Sequence, residues 1–294
     1  MKPEDSIDYV LRHQQADGGF PYLPSGRSVL ESTAFSLMAV RGRDPKNGAL
    51  KRAAAFLTSL QNKDGGFFLF PGDNLSSAYG TALAALALKT IDAAGHKSRL
   101  DEAAFYLRND HRYVRSTDLD LDVWGWNHYT NIGSEPTAMA VLALKHLGSL
   151  PEGRAEQASQ FFSHTKCDYG GWSYGAAVDR NDPRSSSPVC TVLPPQLHVT
   201  ALVMMAMQDR KDEFRDGLKV ISELSPGSRC PLSLSLSALA VDCYGGDNRG
   251  LLDRLNRVMI EDAQVNDKVF YHALAALANL TRAGKNPLRL GGVN

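Results

Sequence analysis

Two kinds of helical segment alternate along this chain. The first kind is amphipathic. In residues 48–61, Leu50, Ala53, Leu57 and Leu60 fall on one stripe of a 3.6-residue helix, while Lys51 and Arg52 fall outside it. Comparable stripes occur near Ile7, Val10 and Leu11, and around 101–108, 154–163, 213–224 and 250–261. The second kind is apolar on every face and rich in small residues. Its copies are STAFSLMAV at 32–40, GTALAALAL at 80–88, PTAMAVLAL at 136–144 and VTALVMMAM at 199–207, with looser LSALAV at 236–241 and YHALAALAN at 271–279. A helix with one charged face belongs outside, and a helix apolar all round must bury most of its surface. Six of each in alternation predict an all-α fold. It is an (α/α)6 toroid (barrel) of six inner and six outer helices, with residues 1–294 as a single domain. No segment reads as a sustained strand.

The turns between the two kinds repeat as well. Gln14 aligns with Gln61, and Asp17-Gly18-Gly19-Phe20 with Asp64-Gly65-Gly66-Phe67. Asp168-Tyr169-Gly170-Gly171-Trp172 is a third copy and Asp122-Val123-Trp124-Gly125-Trp126 a more degraded fourth. Glycine provides the positive φ that such helix-to-helix connections require. Pro136 and Pro231 fall where inner helices should begin, and a first-turn proline suits that position.

Charge and composition narrow the partners. Lys and Arg total 32 and Asp and Glu total 32, so the net charge is zero. No basic stripe stands out, which argues against nucleic acid and against polybasic membrane anchoring. The longest apolar run, Val199 to Met207, is far short of the roughly 20 residues of a transmembrane helix. Residues 1–15 carry charges where a leader needs an apolar run, so the expectation is a soluble cytoplasmic protein. Cys167, Cys190, Cys230 and Cys243 form no Cys-x-x-Cys pair and are expected to be reduced thiols.

The stretch Phe-Leu-x-x-x-Gln-x-x-Asp-Gly-Gly-Phe at 56–67 resembles the QW motif of squalene and hopene cyclases, with Phe in place of the usual Trp. That toroid occurs also in protein prenyltransferase β subunits and, more distantly, in complement thioester domains. The resemblance extends over the helix pairs from about residue 3 to residue 283. It implies an apolar, aromatic-lined cavity that holds an isoprenoid chain. The expected substrate-binding residues are Trp124, Trp126, His128, Tyr129, Trp172, His198 and Tyr271. Aromatic rings there would stabilise a developing carbocation by cation–π attraction. The alternative for the turn aromatics, including Phe20 and Phe67, is that they glue neighbouring turns together.

Three chemistries follow from the resemblance. Class II terpene cyclases carry Asp-x-Asp-Asp-Thr-Ala at an inner-helix start, and its middle Asp is the general acid. Gly133-Ser134-Glu135-Pro136-Thr137-Ala138 places Glu135 at the acid's position without the flanking aspartates. Such an acid must be neutral and desolvated, with a raised pKa. Glu31-Ser32-Thr33-Ala34 shows the same spacing earlier in the chain, and capping and the helix dipole also favour an acidic residue there. Asp118, Asp120 and Asp122 alternate with leucine upstream, either as a solvated loop edge or as a catalytic Mg²⁺–diphosphate site. Prenyltransferase β subunits instead bind Zn²⁺ through an Asp-x-Cys pair and a later His. Cys230 and His272 match two of those ligands, and Ser228 stands where the Asp should be. Catalytic zinc needs about three protein ligands.

The third possibility is a binding or scaffold toroid without chemistry. The Gly-Cys-Gly-Glu-Gln signature of thioester domains is absent. Gly18-Gly19-Phe20-Pro21 resembles the turns of toroidal polysaccharide lyases, without the cationic stretch their chemistry needs. P-loop and Gly-x-Gly-x-x-Gly patterns are absent too. The segment 173–195, with Ser185-Ser186-Ser187-Pro188, is long enough to be expected over one mouth of the ring. The expected function is therefore an isoprenoid-binding toroid related to class II terpene cyclases, with Glu135, Asp120, Asp122 and His272 as candidate catalytic residues. A zinc-dependent prenyltransferase and a non-catalytic toroid stand as alternatives.

Overall fold

The computed structural model describes residues 3–110, 112–115, 120–130, 132–174, 193–262, 265 and 267–291. Asp118, the serine run 185–188, Cys190 and most of the 173–195 segment lie outside the described residues. Among the described residues the chain forms helix pairs, outer then inner. They are α1 (Pro3–Arg12) with α2 (Leu30–Arg43), α3 (Gly48–Ser59) with α4 (Ala78–Asp92), and α5 (Lys97–Asn109) with α6 (Ser134–His146). Next come α7 (Arg154–Thr165) with α8 (Leu197–Ala206), a short α9 (Lys211–Phe214), α10 (Gly217–Leu224) with α11 (Pro231–Cys243), and α12 (Arg249–Glu261) with α13 (Val269–Asn279). Each inner helix packs on the next in the order α2, α4, α6, α8, α11, α13, and α13 packs back on α2. This is the α/α toroid that the alternating pattern predicts. Every residue from Ala78 to Leu88 of α4 is buried, whereas α3 buries Leu50, Ala53 and Leu57 and exposes Lys51 and Arg52.

Among the described residues, strands are confined to two short antiparallel hairpins. Phe20–Pro21 (β1) pairs with Ser28–Val29 (β2), and Arg112–Arg115 (β3) pairs with Asp120–Val123 (β4). Both lie in connections that lead to an inner helix.

The repeated turn signature has one repeated geometry. The Gln14 amide donates to the carbonyls of Gly18 and Ala49, and Gln61 donates to Gly65 and Arg99. Asp17 accepts from Gly19 N–H and Ser28 Oγ, and Asp64 accepts from Gly66 N–H and Ser76 Oγ. Gly18 (φ +89°) and Gly65 (φ +88°) press on the next outer helix. A Cβ would stand 2.4 Å from the carbonyl oxygens of Arg52 and Glu102, respectively. The turn therefore docks backbone to backbone, and only glycine fits.

The inner helices end at the opposite face, where their last carbonyls need partners. Lys89 donates to the His146 carbonyl and Lys145 to that of Ala206, cations at helix C-termini as the dipole favours. The C-terminal segment 284–291 then runs across these ends. Lys285 donates to Gly42 O, Asn286 to Leu239 O, and Leu288 O accepts from Gln208 Nε2 at 2.8 Å. His146 Nε2 faces that same Leu288 oxygen at 3.3 Å, and burial lowers the His146 pKa to about 4.

Two outcomes are expected. Gly18→Ala and Gly65→Ala should each lose roughly 2 kcal/mol or more of stability in urea unfolding, from the disfavoured φ and the carbonyl clash. Unfolded His146 takes a proton near pH 6.5 and folded His146 only near 4. Stability should therefore be full above pH 6.5 and fall as pH drops to about 4, by up to about 3 kcal/mol from this group. His146→Gln should flatten that acid limb in unfolding midpoints measured at pH 7 and pH 4.5.

Candidate active site at the mouth of the ring

Four of the six inner helices, α2, α4, α6 and α8, start against a turn, and one threonine makes each joint. Thr33 Oγ1 accepts the N–H of Phe20 and Thr81 that of Phe67, both at 2.8 Å. Thr137 and Thr200 do the same for Trp124 and Trp172. With the threonine fixed, the residue two positions before it is aimed at the mouth of the ring. Those residues are Glu31, Tyr79, Glu135 and His198. The residue two positions after the turn aromatic faces the same region, and here those residues are Tyr22, Leu69, Trp126 and Tyr174.

Neighbouring repeats interlock at this level. The first helical N–H groups of α2 and α4 donate to the carbonyls of Leu69 and Trp126 in the following turn. Near the start of α13, Phe270 N–H donates to Tyr22 O and closes the ring.

The side chains form two connected groups. Tyr22 Oη donates to Glu31 Oε2 at 2.5 Å, and Tyr79 Oη donates to Glu31 Oε1 at 2.7 Å. Burial and the Glu31 charge raise the pKa of both phenols, so they remain donors. The ring of Trp126 lies 4.8 Å from that of Tyr79. In the second group, Glu135 Oε1 lies 3.4 Å from His198 Nε2. Tyr174 Oη is 2.7 Å from the same nitrogen, and Ser233 Oγ of α11 is 3.5 Å from Nδ1. Burial, and then the nearby Glu31 charge, raise the Glu135 pKa to about 7. Burial lowers that of His198. The 3.4 Å contact thus has the spacing of an ion pair, yet both groups favour their neutral forms, and we read it as a neutral acid facing a neutral imidazole.

Of the residues expected at a ligand, Glu135, His198 and Trp126 meet here. Tyr271 is half-buried beside Phe270, with Lys268 over its ring at 5.2 Å. The others are placed elsewhere. Trp124 and Trp172 are fully buried and donate their indole N–H to Leu107 O (2.8 Å) and Phe162 O (2.7 Å). They wedge each turn onto its outer helix and line no chamber. Asp122 pairs with Arg154 at 2.8 Å, both nearly buried, which ties β4 to α7. Asp120 sits opposite Arg115 in the hairpin ladder. His128 reaches Asp110 at 3.3 Å on the surface, and Tyr129 is exposed.

His272 is buried against α1. Its Nδ1 is 3.3 Å from Ser6 Oγ, and its ring stacks on Tyr9 at 4.0 Å. Cys230 caps α11 near Tyr174 and Tyr271; burial, then Glu135 and then this thiol raise the pKa of Tyr174, and burial and then this thiol raise that of Tyr271. Among the described residues no group of three His, Cys, Asp or Glu side chains is placed to hold a metal ion.

Tyr79, Tyr174 and Ser233 escaped the sequence reading, and Glu31 entered it only as a repeat of Glu135. The signal was the register itself, two residues before each threonine and two after each turn aromatic. Gly171-Trp172-Ser173-Tyr174-Gly175 also has the Gly-x-Ser-x-Gly spacing of a nucleophile elbow, but Ser173 is buried in a helix-to-helix turn.

The chain matches no family model. It is 30% identical over 235 residues to the drimenyl diphosphate synthase of Streptantibioticus cattleyicolor, an alignment that covers 62% of this chain and 43% of that protein. It thus spans less than half the length of that curated relative. Among solved structures, an α-1,6-mannanase of Salegentibacter sp. HEL1_6 aligns with a TM-score of 0.66 at 12% identity over 96% of this chain and 98% of that one. An α-amylase of Clostridium perfringens aligns with a TM-score of 0.65 at 13% identity over 95% and 97%. At that identity the likeness establishes the toroid fold.

These findings correct the isoprenoid expectation. The solved toroids named above, which align end to end, are by name enzymes of carbohydrates, which fits neither a terpene cyclase nor a prenyltransferase. The inner-helix starts carry carboxyl, phenol and imidazole groups. No helix among the described residues is long and apolar enough to cross a membrane.

The raised pKa of Glu135 has a consequence for stability. The unfolded carboxyl titrates near 4.5 and the folded one near 7. Its contribution is therefore full below pH 4.5 and is lost as pH rises through 7. Glu135→Gln, which cannot ionise, should gain on the native protein by up to about 3 kcal/mol at pH 8.5 relative to pH 5. Urea titrations at the two pH values measure this, and equal differences would contradict the burial argument.

Proposed function

We propose that the chain is a carbohydrate-active enzyme that hydrolyses glycosidic bonds at the mouth of the ring. The supporting observation is a pair of carboxyl groups in opposed environments. Glu135 is buried, faces an uncharged imidazole and carries a proton near neutrality. Glu31 is gripped by two phenol donors, an arrangement that suits negative charge. Such a division between two carboxyl groups is what glycoside hydrolysis uses.

In this reading Glu135 donates its proton to the leaving-group oxygen as the bond breaks. Glu31 works from the other side, either by activating water or by attacking the sugar carbon. Tyr22 and Tyr79 each hold one oxygen of Glu31 and so fix the carboxylate plane. Trp126, tilted against Tyr79 and partly exposed, offers an apolar face to a sugar ring. The ring is taken as one working unit, because these groups come from successive helix pairs. The sequence likeness to the drimenyl diphosphate synthase accords with a shared origin of the turn repeat, whatever the later chemistry.

Reducing-end release from a panel of α- and β-linked polysaccharides tests the proposal. On the substrate that is cleaved, Glu135→Gln should lower kcat by about 10²–10⁴-fold, the usual worth of a general acid. Aryl glycosides with good leaving groups should largely recover that loss, since they need no proton. Glu31→Gln should not be recovered in this way. Failure of every polysaccharide, or full activity in Glu31→Gln, would refute the reading.

A further inference from the structure

We propose that His198 and Tyr174 form a proton relay that reloads Glu135 from the solvent side of the mouth. This rests on the reading of Glu135 as the general acid. The geometry is a line of three groups from three parts of the ring. Glu135 is the second residue of α6, His198 the second of α8, and Tyr174 belongs to the turn that precedes α8. His198 Nε2 stands between Tyr174 Oη at 2.7 Å and Glu135 Oε1 at 3.4 Å. Glu135 and His198 are each only 9% exposed, whereas Tyr174 is 52% exposed. The acid therefore has little direct access to water, and the residue beyond the imidazole has ample access.

The second imidazole nitrogen has a partner of its own. Nδ1 lies 3.5 Å from Ser233 Oγ, a hydroxyl able to accept from it. With the proton on Nδ1, the single lone pair of Nε2 lies within reach of both oxygens and receives one proton at a time. When turnover leaves Glu135 as a carboxylate, one proton moves from Tyr174 Oη to His198 Nε2 and from there to Glu135 Oε1. Tyr174 recovers its own from water on the exposed side, so one solvent proton ends on Glu135 and no charge remains behind.

Among the described residues, the groups that face this line are Glu31 of α2, whose charge raises the pKa of Glu135, Tyr79 of α4, and Cys230 at the cap of α11, beside Tyr174. None of these three is a cation.

The test begins without substrate, on the full chain labelled with [δ-¹³C]glutamate and ¹⁵N-histidine and titrated by NMR. Coupled groups report the macroscopic midpoints of the pair. The Glu135 carboxyl and the His198 ring should each show the same two midpoints in the native protein. In His198→Gln the Glu135 curve should collapse to one. A single Glu135 midpoint that is unchanged in His198→Gln would overturn the relay.

Tyr174→Phe, at a half-exposed position, provides the second arm on any cleaved polysaccharide. Reloading follows bond cleavage, so kcat should fall about tenfold or more while kcat/KM stays within about twofold. Added imidazole should restore kcat. Equal losses in both constants, without rescue, would show Tyr174 to be a binding residue and overturn the relay. Coupled titration in a protein that cleaves no polysaccharide would support the proton link and remove the glycosidase reading. Cleavage without coupling would do the reverse.

Discussion

The hydrogen bond from each turn aromatic's N–H to a threonine hydroxyl underlies the rest of this structure. The bond is buried, so a missing partner would leave a polar group without water. It is made at Thr33, Thr81, Thr137 and Thr200, and it sets both the rotation and the height of those four inner helices relative to their turns. Everything at the mouth inherits its position from that joint. A helix turned by one residue would swing Glu31, Tyr79, Glu135 and His198 by roughly 100° and disperse the cluster. The same joint leaves the first amide of α2 and of α4 free to meet a carbonyl of the next turn, so one local bond also propagates the ring.

Much of the ring was legible because its two helix types differ in burial over whole surfaces. Leu50, Ala53 and Leu57 against Lys51 and Arg52 leave little choice about which side of α3 faces inward. The Asp-Gly-Gly turns were legible for a steric reason, since Gly18 and Gly65 occupy positions that a methyl group cannot. Side-chain destinations were much harder to read. Trp124 and Trp126 are neighbours in one motif, yet one is a buried wedge and the other lies open beside Tyr79. Tyr271 and His272 are adjacent on one helix and so point about 100° apart, which takes His272 to α1. Asp122 looked like a metal ligand because its partner, Arg154, comes from a helix 32 residues away.

The functional reading changed for a related reason. Glu135 does have the raised pKa that protonation chemistry requires, as its inner-helix position suggested. An alkene and a glycosidic oxygen both accept a proton from a buried carboxylic acid, so the acid alone does not choose between them. The surroundings bear on that choice. A second carboxylate held by two phenols, and an imidazole paired with the acid, are the polar groups on which the proposed glycosidase reading rests. One scaffold serves several chemistries because its helix starts are interchangeable positions, and the identity of a few residues at one level decides what the ring can do.

The two ends of the ring are built differently, and the contrast reaches beyond stability. Segment 284–291 crosses the C-terminal ends of the inner helices, with Leu288 almost fully buried among them. One end of the ring is thus closed over by the chain's own segment, and the other carries Glu31, Glu135, His198 and Tyr174. A substrate of the proposed enzyme would meet the ring at that second face.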